Sequence, residues 1–346
     1  MKDVKIGEKI VGDNHRCYLV AEIGGAFKTF EEGKCLIDAV KEIGIDAVKF
    51  QTLEADTITT KNNFFDLEIT GKISQYDLFK EAEISKELQL KIVQYANEQG
   101  ITIFSAPSHI KDLEVMKEMD LTVYKIGSDL ACHIPLLREV AKLQKPIILS
   151  TGMCNLQEIK DSVKAILEEG NDKLILLHCV SDYPTKIEEA NLNAINELKK
   201  EFDVPVGFSD HTIGIDASEV AISMGANMIE RHFQIPGNSP GVDDPISLTK
   251  EGFKKLIEKR DEISILKGNG EIKPTKSEEE NLKTNRVSII VMKDIEKGQH
   301  ITLDMIDIRR PGTGIQPKDW ELVIGKRSKE NISKESPLTW EMLEEI

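Results

Sequence analysis

The stretch 204–232, VPVGFSDHTIGIDASEVAISMGANMIERH, carries two polar tips, Ser209-Asp210-His211 and Glu230-Arg231-His232, each closing an apolar run. A segment of helical period separates them. If the two runs are neighbouring strands of a parallel sheet, His211 and His232 stand side by side at one end. Two imidazoles in that position can share a divalent ion of the Mn2+, Fe2+, Co2+ or Zn2+ class. Two protein ligands leave positions open for water or substrate, as at a catalytic ion rather than a structural one. A strand-end histidine is also an ordinary hydrogen-bonded structural residue, so the pair gains its weight from the rest of the chain.

The other apolar runs end in the same way. Glu22 closes YLVAE, Lys49 and Gln51 stand in AVKFQT, and Ser105 stands in TIFSAPS. Lys125 and Ser128 lie in VYKIGSD, Ser150 and Thr151 in PIILSTG, and His178 and Ser181 in LILLHCVSDYPT. Any one of these has a bland reading, since strand-end lysines are usually solvated and serines there usually cap the next helix. As a set they deliver a polar residue to the end of every strand. Two lysines, several hydroxyls and adjacent backbone donors suit a phosphate together with a carboxylate.

Helical patterns must alternate with these strands to position them. Period and capping predict helices over 30–43, 85–98, 109–119, 133–143, 156–169, 189–201, 215–224 and 249–264. The strands read as near-continuous apolar runs, which marks strands buried on both faces in a parallel sheet covered by helices. Eight such units over about 250 residues make the (β/α)8 barrel pattern, and barrel enzymes keep their sites at the C-terminal strand ends. An open doubly wound nucleotide sheet would carry GxGxxG after its first strand, and the turn here is GGAFKT. Residues 1–17 read as a hairpin or lead-in strand. The segment 53–82 is too long for an ordinary connection and reads as a lid or binding loop. The expected organisation is a barrel over 1–265, a charged linker over 266–285, and a small β-rich module over 286–346.

The chain has 346 residues, 40% hydrophobic and 30% charged, with a formal net charge of −15. It is long enough for a large core. Its acidity argues against nonspecific nucleic-acid or anionic-membrane binding, both of which need basic surface. Five cysteines, Cys17, Cys35, Cys132, Cys154 and Cys179, form no CxxC pair. That usage fits a reduced, cytoplasmic protein, and the thiols read as packed or site-adjacent. No apolar run has the length of a signal peptide or a membrane span.

Taken in order, EIG (22–24), VKFQT (48–52), YKIGSD (124–129), KPIILSTGM (145–153), LLHCVSDYPT (176–185), GFSDHT (207–212), ERHF (230–233) and PGVDD (240–244) resemble the sialic acid synthase family. RRPGTG (309–314) resembles that family's C-terminal antifreeze-like, or SAF, domain. The resemblance covers nearly the whole chain. It implies a TIM barrel followed by a SAF domain. It also implies condensation of phosphoenolpyruvate with the open-chain aldehyde of an N-acetylmannosamine-like sugar, releasing phosphate and a nine-carbon 2-keto acid. By matching motif positions, His211 and His232 would bind Mn2+, with Mg2+ or Co2+ as substitutes. Glu22, Lys49, Lys125 and Asp243 would be catalytic. Gln51, Ser105, Ser128, Asp129, Ser150, Ser181, Tyr183 and Ser209 would line the substrate. Arg310 matches an arginine that contacts the sugar in a partner subunit, which implies a domain-swapped homodimer.

Two departures bear on the acceptor. The family's EIGxNHxG reads EIGGAFKT here, and a sugar-binding Glu is replaced by Leu130, with Asp129 beside it. A one-residue offset on an extended segment turns a side chain to the other face. Synthases for legionaminic or pseudaminic acid, built from deoxygenated diacetamido sugars, are therefore the alternative reading. A Schiff-base aldolase using Lys125 or Lys49 as nucleophile and a non-enzymatic binding protein are the readings from other classes.

Overall fold

The computed structural model describes residues 2–67, 71–238, 241 and 243–344. Pro240 and Val242 of the PGVDD motif lie outside the described residues. The chain divides into two compact units, Met1–Gly268 and Asn269–Ile346.

The first unit is a closed parallel barrel whose strands, among the described residues, are β1 Tyr18–Glu22, β2 Ala47–Thr52, β3 Thr102–Pro107, β4 Tyr124–Ile126, β5 Ile147–Ser150, β6 Leu174–Cys179, β7 Val206–Asp210 and β8 Met228–His232. Each pairs with the next in chain order, and β8 closes on β1 with Met228 opposite Tyr18 and His232 opposite Glu22. The outer helices are α1 Phe30–Ile43, α2 Lys86–Glu98, α3 Asp112–Glu118, α4 Ile134–Lys142, α5 Leu156–Glu168, α6 Asn193–Glu201, α7 Asp216–Ser223 and α8 Lys250–Lys267. Local chemistry sets their ends. Thr29 and Glu32 form a capping box at the start of α1, and Gly44, at φ 82°, takes the left-handed conformation at its end.

Strand alternation sorts the apolar residues into two layers. Leu19, Val48, Phe50, Ile103, Tyr124 and Leu149 face the helices. Tyr18, Val20, Ala47, Phe104, Ile148 and Leu177 face the barrel interior, where they pack with Val4, Ile6 and Val11. Those three belong to the antiparallel hairpin Val4–Ile6/Lys9–Val11, which fills the end of the barrel opposite the strand C-termini. Interior packing is tight at Gly207, where a Cβ would lie 2.3 Å from the Met228 carbonyl oxygen and 2.7 Å from Leu177. The polar C-terminal ends therefore sit on a filled core rather than a pore.

The segment 53–82 is more structured than its sequence indicated. It holds a short helix, Ala55–Ile58, a hairpin of Phe64–Leu67 with Gly71–Ser74, and a helix, Gln75–Ala82, capped by Ser74. The stretch expected as a linker begins inside α8, which continues to Lys267. A capping box of Thr275 and Glu278 then opens a turn that leads into a helix over Glu279–Thr284. These exposed helices lack an apolar period, so caps and charged helix-formers define them.

The second unit pairs Ser288–Val291 antiparallel with Ile306–Arg309 over its own core of Ile289, Val291, Ile295, Ile301, Ile332 and Leu338. No helix among the described residues is long and apolar enough to cross a membrane.

Candidate active site

The same alternation decides which strand-end side chains enter the barrel mouth. Residues in step with the interior layer are Glu22, Lys49 and Gln51, Lys125, Ser150, Cys179, Ser209, Glu230 and His232. His211 follows in step one residue beyond β7. Between them, Asp210 and Arg231 point outward and form a fully buried ion pair at 2.6 Å. Asp210 also accepts from the Thr212 amide, and Arg231 donates to the carbonyls of Thr212 and Ile246. This outward lock fixes the ends of β7 and β8, and with them the direction of both histidines.

Inside the mouth the charged groups form a buried chain. Lys49 Nζ lies 2.7 Å from Glu22 Oε2 and 3.1 Å from Glu230 Oε1. Glu230 Oε1 also accepts from Ser209 Oγ at 3.2 Å and lies 3.5 Å from Lys125 Nζ. Lys125 Nζ donates to Ser150 Oγ at 2.7 Å. Burial raises the Glu230 carboxyl, but Lys125 and Lys49 outweigh it and hold the group down to about 2. Burial, with Lys125 nearby, lowers the Lys49 ammonium to about 8 against the pull of Glu230. Glu230 Oε2 is buried and has no protein partner, so this lysine-rich wall retains an acceptor of its own.

Beside Lys125 and Ser150, three loops converge. Gly152 donates its amide to Ser128 Oγ at 3.0 Å. A Cβ at Gly152 would lie 2.4 Å from Ser181 Oγ and 2.7 Å from Ser128 Oγ. The missing side chain is what makes room for two hydroxyls and a backbone to meet, and the resulting notch is lined with donors. Ser128–Leu130 forms a 3-10 turn rather than an extended segment. Leu130 packs against the helix-side core, whereas Asp129 is exposed and interacts electrostatically with Lys125 and Lys49.

On the other wall the rings of His211 and His232 have centroids 5.5 Å apart. Tyr183 stacks on His211 at 4.1 Å and meets His232 edge-on at 6.0 Å. His211 Nδ1 lies 2.9 Å from the Val180 carbonyl. Donating there leaves Nε2 as the free acceptor, the usual way a backbone carbonyl orients a metal-binding imidazole. Burial and then Lys49 depress His232 to about 3, which keeps its ring neutral. Asp243 Oδ2 is 3.5 Å from His232 Nδ1. Two imidazoles and a carboxylate fit a divalent transition ion. They do not converge to within 4.8 Å of one another, so the set is open.

With the geometry in place, the chain can be compared with known proteins. Residues 36–272 match the NeuB family model and residues 286–344 match the SAF domain model. The chain belongs to the NeuB family. Among its relatives, the N,N'-diacetyllegionaminic acid synthase of Legionella pneumophila is 35% identical over 98% of both chains. The pseudaminic acid synthase of Campylobacter jejuni (serotype O:2) is 33% identical over 92% of this chain and 94% of its own. A crystal structure of the N-acetylneuraminic acid synthetase of Leptospira borgpetersenii, in complex with citrate, superposes with a TM-score of 0.74 at 29% identity, covering 81% of this chain and 95% of that one.

Not every residue singled out in the sequence reaches the mouth of this NeuB barrel. Ser105 is a correction. It is in step with Ile103, fully buried, and its Oγ bonds Thr52 Oγ1 at 2.7 Å on the helix side, where Thr52 reaches Gln89. It buttresses β2 and β3 from the helix side and does not face the barrel mouth. His178 likewise points outward, stacks on Phe208 and bonds the Ala190 carbonyl. Arg310 is exposed in the second unit, directly after the strand Ile306–Arg309. Two residues were missed. Glu230 stands two positions before His232, so strand parity already placed both on one face. Gly152 had no such signal, because its importance lies in what a side chain would hit.

Proposed function

We propose that the chain is a nonulosonic acid synthase that condenses phosphoenolpyruvate with an N-acetylated hexosamine, breaking a C–O bond and releasing phosphate. The observation that carries this reading is the division of the mouth. A buried lysine-rich wall suits an anion, and a pair of adjacent imidazoles faces it. Lys49 and Lys125 offset the charge of phosphoenolpyruvate, with Ser150, Ser209 and the Ser128–Gly152–Ser181 notch donating to its oxygens. Glu22 and Glu230 hold the two ammoniums in place, and Gln51 lines the entrance beside Glu22. A divalent ion held by His211 and His232, with Asp243 beside them and Mn2+ the proposed metal, would polarise the acceptor's aldehyde. The alkene carbon attacks that aldehyde, water adds to the resulting cationic carbon, and phosphate leaves. Tyr183 covers His211 and shapes the acceptor side.

Leu130 favours a deoxygenated diacetamido acceptor over N-acetylmannosamine. Its packing against the core removes a hydroxyl acceptor from the position where the family carries a Glu, and the full-length likeness to a legionaminic acid synthase supports the same choice. The deciding assay measures phosphate release from phosphoenolpyruvate with N-acetylmannosamine, its 6-phosphate and diacetamido-trideoxyhexoses. Release with one of these is expected; no turnover with any would overturn the synthase. Borohydride with pyruvate is expected to trap no lysine adduct. The proposal also places the enzyme in the cytoplasm as a homodimer in which Arg310 of the partner subunit contacts the sugar.

Two consequences follow from the wall's chemistry. Lys49 is depressed to about 8, so it is a cation below that pH and loses its charge above it. For phosphoenolpyruvate, kcat/KM is expected to fall on an alkaline limb near pH 8, because that parameter reports groups of the free enzyme. A profile flat through that range would remove Lys49 from anion binding. Gly152→Val fills the notch and is expected to raise the KM for phosphoenolpyruvate about tenfold or more, a loss of some 1.4 kcal/mol, while the sugar's KM changes little. Equal effects on both substrates would refute the notch as the anion's seat.

A further inference from the structure

Cys132 and Cys154 are 22 residues apart in sequence, yet their sulfurs lie 3.7 Å apart. Cys132 is on the loop between β4 and α4, and Cys154 on the loop between β5 and α5. Glu158, in the first turn of α5, brings a carboxylate oxygen to within 4.8 Å of both sulfurs. Among the described residues this is the one group of three or more His, Cys, Asp or Glu donors that converges so closely. The carboxylate is aimed rather than loose, because its Oε2 accepts the Asn155 amide at 2.8 Å in the capping box of α5. Its other oxygen takes no part in that bond.

The two reduced sulfurs are in nonbonded contact, and the carboxylate beside them bears on which chemistry the pair suits. A disulfide holds its sulfurs about 2.05 Å apart and has no use for a carboxylate. Two thiolates on one tetrahedral Zn2+, each at about 2.3 Å, lie about 3.8 Å apart. The two sulfurs can span that edge with little movement of their loops, and a carboxylate supplies a third donor. Thiolates select Zn2+ over Mg2+ or Ca2+. Cys132 is exposed and Cys154 half-buried, so an ion from solvent can reach them.

We propose that Cys132, Cys154 and Glu158 form a binding site for Zn2+, separate from the histidine pair, with the fourth position open to water. Binding displaces a proton from each thiol and ties the two loops together. Those loops are already joined by the Gly152 amide to Ser128 Oγ, and Ser162 Oγ within α5 holds the Ala131 carbonyl at 2.7 Å. Ser128 and Gly152 form part of the donor notch, so the ion staples one side of the mouth. The site stands on its own donors and does not depend on the reaction proposed above.

The test uses the full chain, reduced and stripped of metal, titrated with Co2+ and followed by its thiolate-to-metal charge-transfer band; Zn2+ then competes the band away. The band is expected in the wild type and in His211→Ala. It is expected to be lost in Cys132→Ser and in Cys154→Ser, both with wild-type circular dichroism. Glu158→Gln, which removes the charge of a direct donor, is expected to weaken binding about tenfold or more. Zn2+ is also expected to slow alkylation of Cys132 in peptide mass mapping. A band that survives in either cysteine variant, disappears in His211→Ala, or never forms in the folded wild type would overturn the site.

Discussion

Glu230→Ala is expected to lower the unfolding free energy by about 3–5 kcal/mol, the cost of removing one partner from a buried ion pair. Its carboxylate is the counter-charge of Lys125 at 3.5 Å and shares Lys49 with Glu22. Lys125 would be left in the barrel hydrogen-bonded to Ser150 and a backbone carbonyl at 3.4 Å, with Asp129 as an exposed counter-charge. Equilibrium denaturation of the barrel transition measures the loss. Inorganic phosphate should recover much of it, because an added anion replaces the missing charge. The sign of the pH dependence is also set. The folded-state carboxyl is held to about 2, below its ordinary value, so its contribution is present above the ordinary glutamate range and fades as pH falls toward 2. The gap between wild type and Glu230→Gln should therefore narrow in acid. A variant as stable as the wild type near neutrality would show that the two lysines do not need this carboxylate.

His232→Ala is expected to leave the barrel folded and to reduce kcat by about 1000-fold or more, since Lewis-acid polarisation supplies several kcal/mol and each 1.36 kcal/mol is a factor of ten. The fold should survive because the ring makes few structural bonds. Its neighbours are Asp243, Tyr183 and His211, all at the mouth. Chelation of the wild type should produce the same loss, reversed by Mn2+, whereas the variant should respond only weakly to added ion. Wild-type turnover by the variant at low metal concentration would remove His232 from the metal set. Because the Cys132–Cys154 group lies on other loops, its thiolate signature should persist in His211→Ala and need not follow activity.

The order and kind of the barrel elements were legible in the sequence. Apolar runs of strand length alternate with helical periods, and a cap such as Ser85 marks a helix start by local hydrogen bonding. The polar strand ends were legible as well, and parity along β8 was enough to pair Glu230 with His232. The facing of Ser105 was not. Barrel strands are apolar on both sides, so Ile103 and Phe104 carry no mark of which looks outward, and only the closed sheet separates them. The structure of 53–82 was hidden for a related reason, since its exposed hairpin and helix bury too little to impose a period. The notch at Gly152 and the meeting of Cys132 with Cys154 belong wholly to the tertiary structure. Each depends on adjacent strands bringing two distant loops to one edge of the barrel mouth, and the linear order of residues holds no trace of that distance.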